Sequence, residues 1–129
     1  MATDAQGLAR AEETAARGDH VEAVTRYRDI VAAEPANAAA HAGLARSLLL
    51  LGQAEEALAA CDTALRLGLA PRAEIYRVSA AVHASQGQYA QAIAALDSAL
   101  VLEPDDALGY ANLGGLHTNL GHVEQAESA

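Results

Sequence analysis

Four glycines constrain what this chain can fold into. Gly18, Gly52, Gly87 and Gly121 stand 34, 35 and 34 residues apart. Each is followed five residues later by an alanine (Ala23, Ala57, Ala92, Ala126) and preceded by seven residues by a small one (Ala11, Ala45, Ala80, Gly114). Glu34-Pro35 and Glu103-Pro104 close two of the units at the same register. A fixed period of this length, broken once by glycine and stopped once by proline, accommodates two helices per unit. It is the sequence signature of a solenoid.

Residues 87–104 show one such helix whole. Gly87 suits the left-handed residue that closes a preceding helix. Ala92, Leu96, Ala99, Leu100 and Leu102 recur at the three- and four-residue spacings of a single apolar face. Pro104 forbids continuation and pushes the residue before it out of the helical region. Applied along the chain, the same signals predict helices over 4–17, 21–33, 38–51, 54–67, 71–86, 88–102 and 105–120. Asp105 is the predicted N-cap of the seventh helix. A short eighth is predicted from 123 to 129. The units fall at 4–37, 38–72, 73–106 and 107–129, the last incomplete. At the second junction Gly68-Leu69-Ala70-Pro71 replaces the Glu-Pro ending and supplies the one extra residue of the period.

The core has to be aliphatic, because the chain has no Trp and no Phe and only four Tyr among 129 residues. Alanine lets helix backbones approach closely, which suits stacked hairpins. The net charge of −9, with every basic residue an arginine, repels phosphate backbones and argues against nucleic-acid binding. Cys61 is alone, so no intrachain disulfide forms. The N-terminus lacks the basic and apolar regions of a signal peptide, and the four-leucine run Leu48–Leu51 is far too short to span a bilayer. A soluble cytoplasmic protein that does not engage a membrane is expected. The arginine- and alanine-rich, lysine-free usage points to a bacterial gene of high G+C content.

The units resemble the tetratricopeptide repeat, whose first helix carries a large residue, Leu-Gly and an aromatic, and whose second carries Ala, an aromatic and Pro. The fourth unit has Tyr110, Leu113, Gly114, His117 and Ala126. The third has Tyr76, Ser79, Ala80 and His83, then Ala92, Leu96 and Pro104. The second has His41, Leu44, Ala45, Leu48, Ala57 and Cys61. The first has Gly7, Arg10, Ala11 and Thr14, then Ala23, Tyr27 and Pro35. The resemblance implies an all-α, right-handed superhelical solenoid of tandem antiparallel helical hairpins. Its first helices would line a concave groove that holds peptides or partner helices. Small residues at positions 11, 45, 80 and 114 would let each first helix lie against Ala23, Ala57, Ala92 and Ala126 of the second.

No catalytic, cofactor or metal site is expected. His41, His83 and His117 occupy the bulky core slots of three different hairpins, without the i, i+4 spacing of a zinc helix. They are read as packing residues, and His20 and His122 as solvated turn residues. Cys61 stands where other units have Tyr27 and Leu96 and is read as a buried structural thiol. The paired carboxylates Glu12-Glu13, Glu55-Glu56 and Asp105-Asp106 suit surface positions or first helical turns.

On the family geometry the groove-facing residues are Glu12, Arg46, Leu49, Arg77, Asn112 and Asn119, with Ala42, Ala81 and Ala111 between them. Arg46 and Arg77 on adjacent hairpins either grip an acidic or carboxylate-bearing peptide or are neutralised at the surface by Glu12 or Glu74. Two family subtypes do not fit. The places of the chaperone-binding carboxylate clamp hold Leu8, Glu12 and Gly43. The asparagine that sugar transferases carry before Leu-Gly recurs only at Asn112, against Gly43 and Val78. The expected function is a protein-interaction scaffold, not an enzyme, that binds another protein or a peptide. Two alternatives follow from the partial last unit. One is an N-terminal accessory part of a longer enzyme such as a transferase. The other is a homo-oligomer formed through an uncapped end at Leu113, Leu116 and Leu120.

Overall fold

The computed structural model describes residues 5–68 and 71–128, and within them the chain is built from seven α-helices and no strand. They are α1 (Ala5–Ala16), α2 (His20–Ala33), α3 (Ala38–Leu50), α4 (Ala54–Leu67), α5 (Arg72–Ser85), α6 (Tyr89–Leu102) and α7 (Ala107–Ser128). The residue predicted to begin the first helix, Asp4, and the junction residues Leu69 and Ala70 lie outside the described part.

The first six helices form three hairpins with one turn chemistry repeated. Gly18, Gly52 and Gly87 all have positive φ (87°, 78° and 74°). Left-handed backbone of this kind costs a glycine least. In each turn the amide following the glycine reaches back to a carbonyl five residues earlier: Asp19 to Thr14 (3.2 Å), Gln53 to Leu48 (2.9 Å) and Gln88 to His83 (2.8 Å). These bonds satisfy carbonyls that a helix end would otherwise leave unpaired. Starts are capped where the sequence has a short oxygen side chain. Asn37 Oδ1 accepts from the Ala40 amide (3.0 Å) and Asp106 Oδ1 from the Gly109 amide (3.0 Å). The cap of α7 is therefore Asp106 and not Asp105, because the helix begins one turn position later than expected.

The predicted break at Gly121 does not form. α7 runs 22 residues from Ala107 to Ser128, and Gly121 is not among the positive-φ glycines. A reversal there would have to be repaid by burying the next segment's apolar face. His122-Val123-Glu124-Gln125-Ala126 offers only Val123 and Ala126 for that purpose. Continuing the helical hydrogen bonds through a glycine costs only about 1 kcal/mol relative to alanine. Residues 123–128 are thus the end of α7, not an eighth helix.

The core lies along the hairpin interfaces in two clusters. The larger gathers Ala11, Ala23, Tyr27, Ala45, Leu48, Ala57, Cys61, Ile75 and Val82, with others, from α1 to α5. The smaller joins Ala80, Ala92, Leu96, Ala99, Leu100 and Leu116 from α5, α6 and α7. Ala11, Ala23, Ala45, Ala57 and Ala92, the small residues that set the period, are fully buried, and this is how the period becomes close helix packing. Tyr27 is the largest fully buried side chain, and its ring lies where a side chain on Gly43 would stand.

Cys61 is 1% exposed, and its Sγ donates to the Ile75 carbonyl at 3.9 Å. Burial, helped by the charge of Asp62, pushes its thiol up to about 12. Two outcomes follow. The native chain should react with Ellman's reagent at pH 8 only through opening, at least about tenfold more slowly than the urea-unfolded chain. The thiol's contribution to stability should be complete below the unfolded thiol pKa of about 8.5 and be lost as pH rises toward 12.

Candidate functional site

The first helices of the hairpins, α1, α3 and α5, together with α7, present the face on which the groove residues were expected. A concavity of about 380 Å³ lies between α5 and α7. Its walls are Arg77, Ala80, Ala81 and Ala84 from α5, with Ala111, Asn112, Gly115, Leu116 and Asn119 from α7; Leu96 of α6 reaches it from below. The spacing of 112, 115, 116 and 119 is one face of a helix, so α7 turns two primary amides and a leucine toward the opening. The α5 side is nearly all alanine. A backbone entering here meets small side chains that allow close approach, and amides that can both donate and accept.

Arg77, Asn112 and Asn119, expected in the groove from sequence, are brought together in this one cavity. Glu12, Arg46 and Leu49 are not part of it. Glu12 is exposed on α1, and Leu49 is half-buried against the larger core. Arg46 is engaged across the α3–α5 interface, its Nε donating to Glu74 Oε1 (2.7 Å) and its Nη2 pairing with the same oxygen. Of the two readings of Arg46, neutralisation by Glu74 is the one the geometry adopts. Arg77 is engaged as well. Its guanidinium pairs with Glu103 at the end of α6 and lies 3.9 Å from Asp106 at the start of α7. These partners of Arg77 were missed in the sequence. No signal in the sequence singled them out, since the period does not specify which carboxylate a guanidinium takes.

A charged network continues toward α1. The Tyr27 hydroxyl is buried without a hydrogen bond of ordinary geometry. Burial raises its pKa, the Arg46 guanidinium pulls against the rise, and Glu12 and Glu74 add to it.

The expected self-association residues separate. Leu116 is only 9% exposed and belongs to the smaller core, so it is not an uncovered leucine. Leu113 packs partly on the same cluster and Leu120 is half-buried. The exposed apolar groups near this end are instead Leu108, Tyr110 and Val123.

The histidines also separate. The Pro35 carbonyl accepts from His41 Nε2 (2.9 Å), and His83 Nδ1 donates to Gln88 Oε1 (2.7 Å), so these two rings brace turns. His117 is exposed on α7 instead of filling a core slot. His122 lies within α7, not in a turn. Among the described residues no group of three or more His, Cys, Asp or Glu side chains could hold a metal ion, and no helix is long and apolar enough to cross a membrane.

Comparison with known proteins agrees with this architecture. No curated protein matches the chain by sequence. Among solved structures, the first TPR domain of the human RPAP3 protein superposes with a TM-score of 0.85 at 19% identity, covering 92% of this chain and 93% of that one. The first TPR of Spaghetti (RPAP3), bound to the HSP90 peptide SRMEEVD, gives 0.83 at 19% identity, covering 94% and 98%. The second TPR domain of human RPAP3, in complex with the HSP70 peptide SGPTIEEVD, gives 0.78 at 22%, covering 86% and 92%. At these identities the likeness is one of fold. The family assignment comes from sequence models, one described as Tetratricopeptide repeat matching residues 15–81 and one described as TPR repeat matching residues 81–123. With more than half of its length matched by the first of these and its hairpins turning on the repeat's own glycines, the chain belongs to the tetratricopeptide repeat family.

Proposed function

We propose that this chain is a protein-interaction module that holds an extended segment of a partner protein in the cavity between α5 and α7. The observation that carries this reading is the lining of that cavity. Asn112 and Asn119 stand one above the other on α7, opposite the alanine wall of α5, over an apolar floor of Leu96 and Leu116. Paired amides opposite small side chains suit recognition of a peptide main chain. The floor adds side-chain burial worth roughly 25 cal/mol per Å² of apolar surface covered. Structures similar to this one hold chaperone-derived peptides ending in EEVD, which supports a peptide as the ligand. A carboxylate clamp of that kind is not the mode proposed here. Leu8 and Glu12 stand in two of its places. The third is Gly43, whose side-chain space the Tyr27 ring fills.

The test is selection from a random peptide library displayed on phage, followed by affinity measurement on the selected peptides. The expected result is a set of related peptides whose Kd rises at least about tenfold in an Asn112→Ala/Asn119→Ala chain, a loss of about 1.4 kcal/mol. An unchanged Kd in a variant that melts like the parent would remove the cavity from the binding site.

A further inference from the structure

The side of α7 turned away from the groove is open where the preceding hairpin is closed. Tyr110, Leu113, Gly114 and His117 share one face of the helix. Tyr76 and Ala80, which stand 34 residues before Tyr110 and Gly114, are packed into the core that α5 forms with α6. No helix of the described residues does the same for α7. Tyr110 is 50% exposed, and nothing lies within 4 Å of where a Cβ on Gly114 would stand. Between this face and α6 is a hollow of about 390 Å³ lined by Asp97, Leu100, Val101, Pro104, Tyr110 and Leu113. Leu100 is buried at its floor, while Val101 at its rim is 80% exposed. We infer that this slot docks a basic amphipathic helix of another protein, laid where the second helix of a fourth hairpin would stand.

The chain itself shows what shape the slot takes. Each of α2, α4 and α6 buries an alanine and the residues four and seven positions after it; in α6 these are Ala92, Leu96 and Ala99. A helix with that apolar stripe would set its small residue against Gly114 and its larger ones against Leu113 and Tyr110. The end of α7 does not fill the space, because it continues straight to Ser128.

Charge decides which such helix is taken. Every arginine stands at or before Arg77; beyond it the chain has six carboxylates and no Lys or Arg. Glu103 and Asp106 face Arg77. Asp97 in the wall of the hollow, and Asp105 beside Pro104, make no ion pair among the described residues. Glu124 and Glu127 follow farther along α7. Arg72 borders a neighbouring hollow across Val101, where it donates to the Tyr76 hydroxyl (3.3 Å). With the histidines of α7 neutral, four carboxylates outweigh that one guanidinium. Lysines flanking the stripe can lay their stems on Val101 and Tyr110 and reach Asp97 and Asp105 through water. Glutamates there would meet like charge, and the field of this end draws basic helices and repels acidic ones.

The experiment uses three labelled peptides that keep Ala92, Leu96, Ala99 and Leu100 of α6 in register, with the exposed positions set to Lys, Gln or Glu. Fluorescence anisotropy is read on the whole chain at pH 8. The Lys peptide should bind at least about tenfold more tightly than the Glu peptide, with Gln between them. That preference should shrink severalfold between 50 and 300 mM salt. Asp97→Asn/Asp105→Asn should remove most of the Lys preference while leaving the Gln peptide's affinity unchanged. Gly114→Leu should melt no lower than the parent, since its side chain meets open space, yet weaken the Lys peptide at least about tenfold by filling the slot. Asn112→Ala/Asn119→Ala, on the groove side, should leave it bound as before.

Failure of the Lys peptide to bind at 50 mM salt, or equal affinity for the Lys and Glu peptides, would overturn the inference. So would Lys-peptide binding that survives Gly114→Leu and is lost in the asparagine variant, which would place the peptide in the groove. A dimer by light scattering that Gly114→Leu dissociates would make a second copy the occupant and overturn it as well.

Discussion

Adding one methyl group at Gly43 is expected to destabilise this protein by about 2–3 kcal/mol, within the range of overpacked cores. A Cβ at that position would fall on the Tyr27 ring, 2.6 Å from its hydroxyl oxygen and closer still to ring carbons Cζ and Cε1. Tyr27 is fully buried and cannot swing aside. The usual gain of about 1 kcal/mol for replacing a helical glycine by alanine is too small to offset that clash. In thermal melts Gly43→Ala should lower Tm by roughly 6–12 °C, taking a few degrees per kcal/mol for a domain of this size. Combining Gly43→Ala with Tyr27→Leu should recover part of the loss, giving a coupling energy of about 1 kcal/mol or more. Tyr27→Phe serves as the contrast. Its hydroxyl has no hydrogen bond of ordinary geometry, so its removal should shift stability by less than about 1 kcal/mol. A Gly43→Ala chain as stable as the parent would show that the Tyr27 ring is not seated as described.

A pair of substitutions at equivalent repeat positions should give opposite results. Ala92 and Ala126 each follow a repeat glycine by five residues, yet Ala92 is fully buried between α5 and α6 while Ala126 is exposed near the end of α7. Ala92→Leu inserts three extra carbons into a contact with no room and should cost about 3 kcal/mol. Ala126→Leu should change stability by less than about 0.5 kcal/mol. Urea unfolding followed by circular dichroism measures both. A comparable loss at both positions would mean that residues 123–128 fold back as the second helix of a fourth hairpin, and the continuous α7 would be wrong.

These two positions also show how far the sequence can be read. The turns at Gly18, Gly52 and Gly87 were legible because a glycine followed by a full amphipathic segment has one economical solution: it reverses the chain and buries that segment. The same glycine at 121 lacks such a segment, so the local signal was right about conformational freedom and wrong about its use. Of the residues that the family resemblance put on one face, Arg77, Asn112 and Asn119 line the cavity between α5 and α7, while Glu12, Arg46 and Leu49 do not. The state of the arginines was not legible in the same way. Arg46 and Glu74 are 28 residues apart, and Arg77 and Glu103 are 26 apart. Which carboxylate a flexible guanidinium takes depends on hairpin-to-hairpin geometry that one sequence period does not specify. Leu116 was missed for a related reason. Helical spacing puts it beside Leu113 and Leu120, but only the approach of α7 to α5 and α6 decides that Leu116 is the one covered.

Backbone amide shifts of the isotopically labelled chain, followed while a selected peptide is titrated in, test the central claim most directly. Perturbations concentrated at Ala80, Ala84, Asn112, Gly115 and Asn119, with little change on α2 and α4, are the result expected if the α5–α7 cavity is the binding site. Perturbations concentrated on α2, α4 and the outer face of α6, with the α5–α7 residues unmoved, would contradict it.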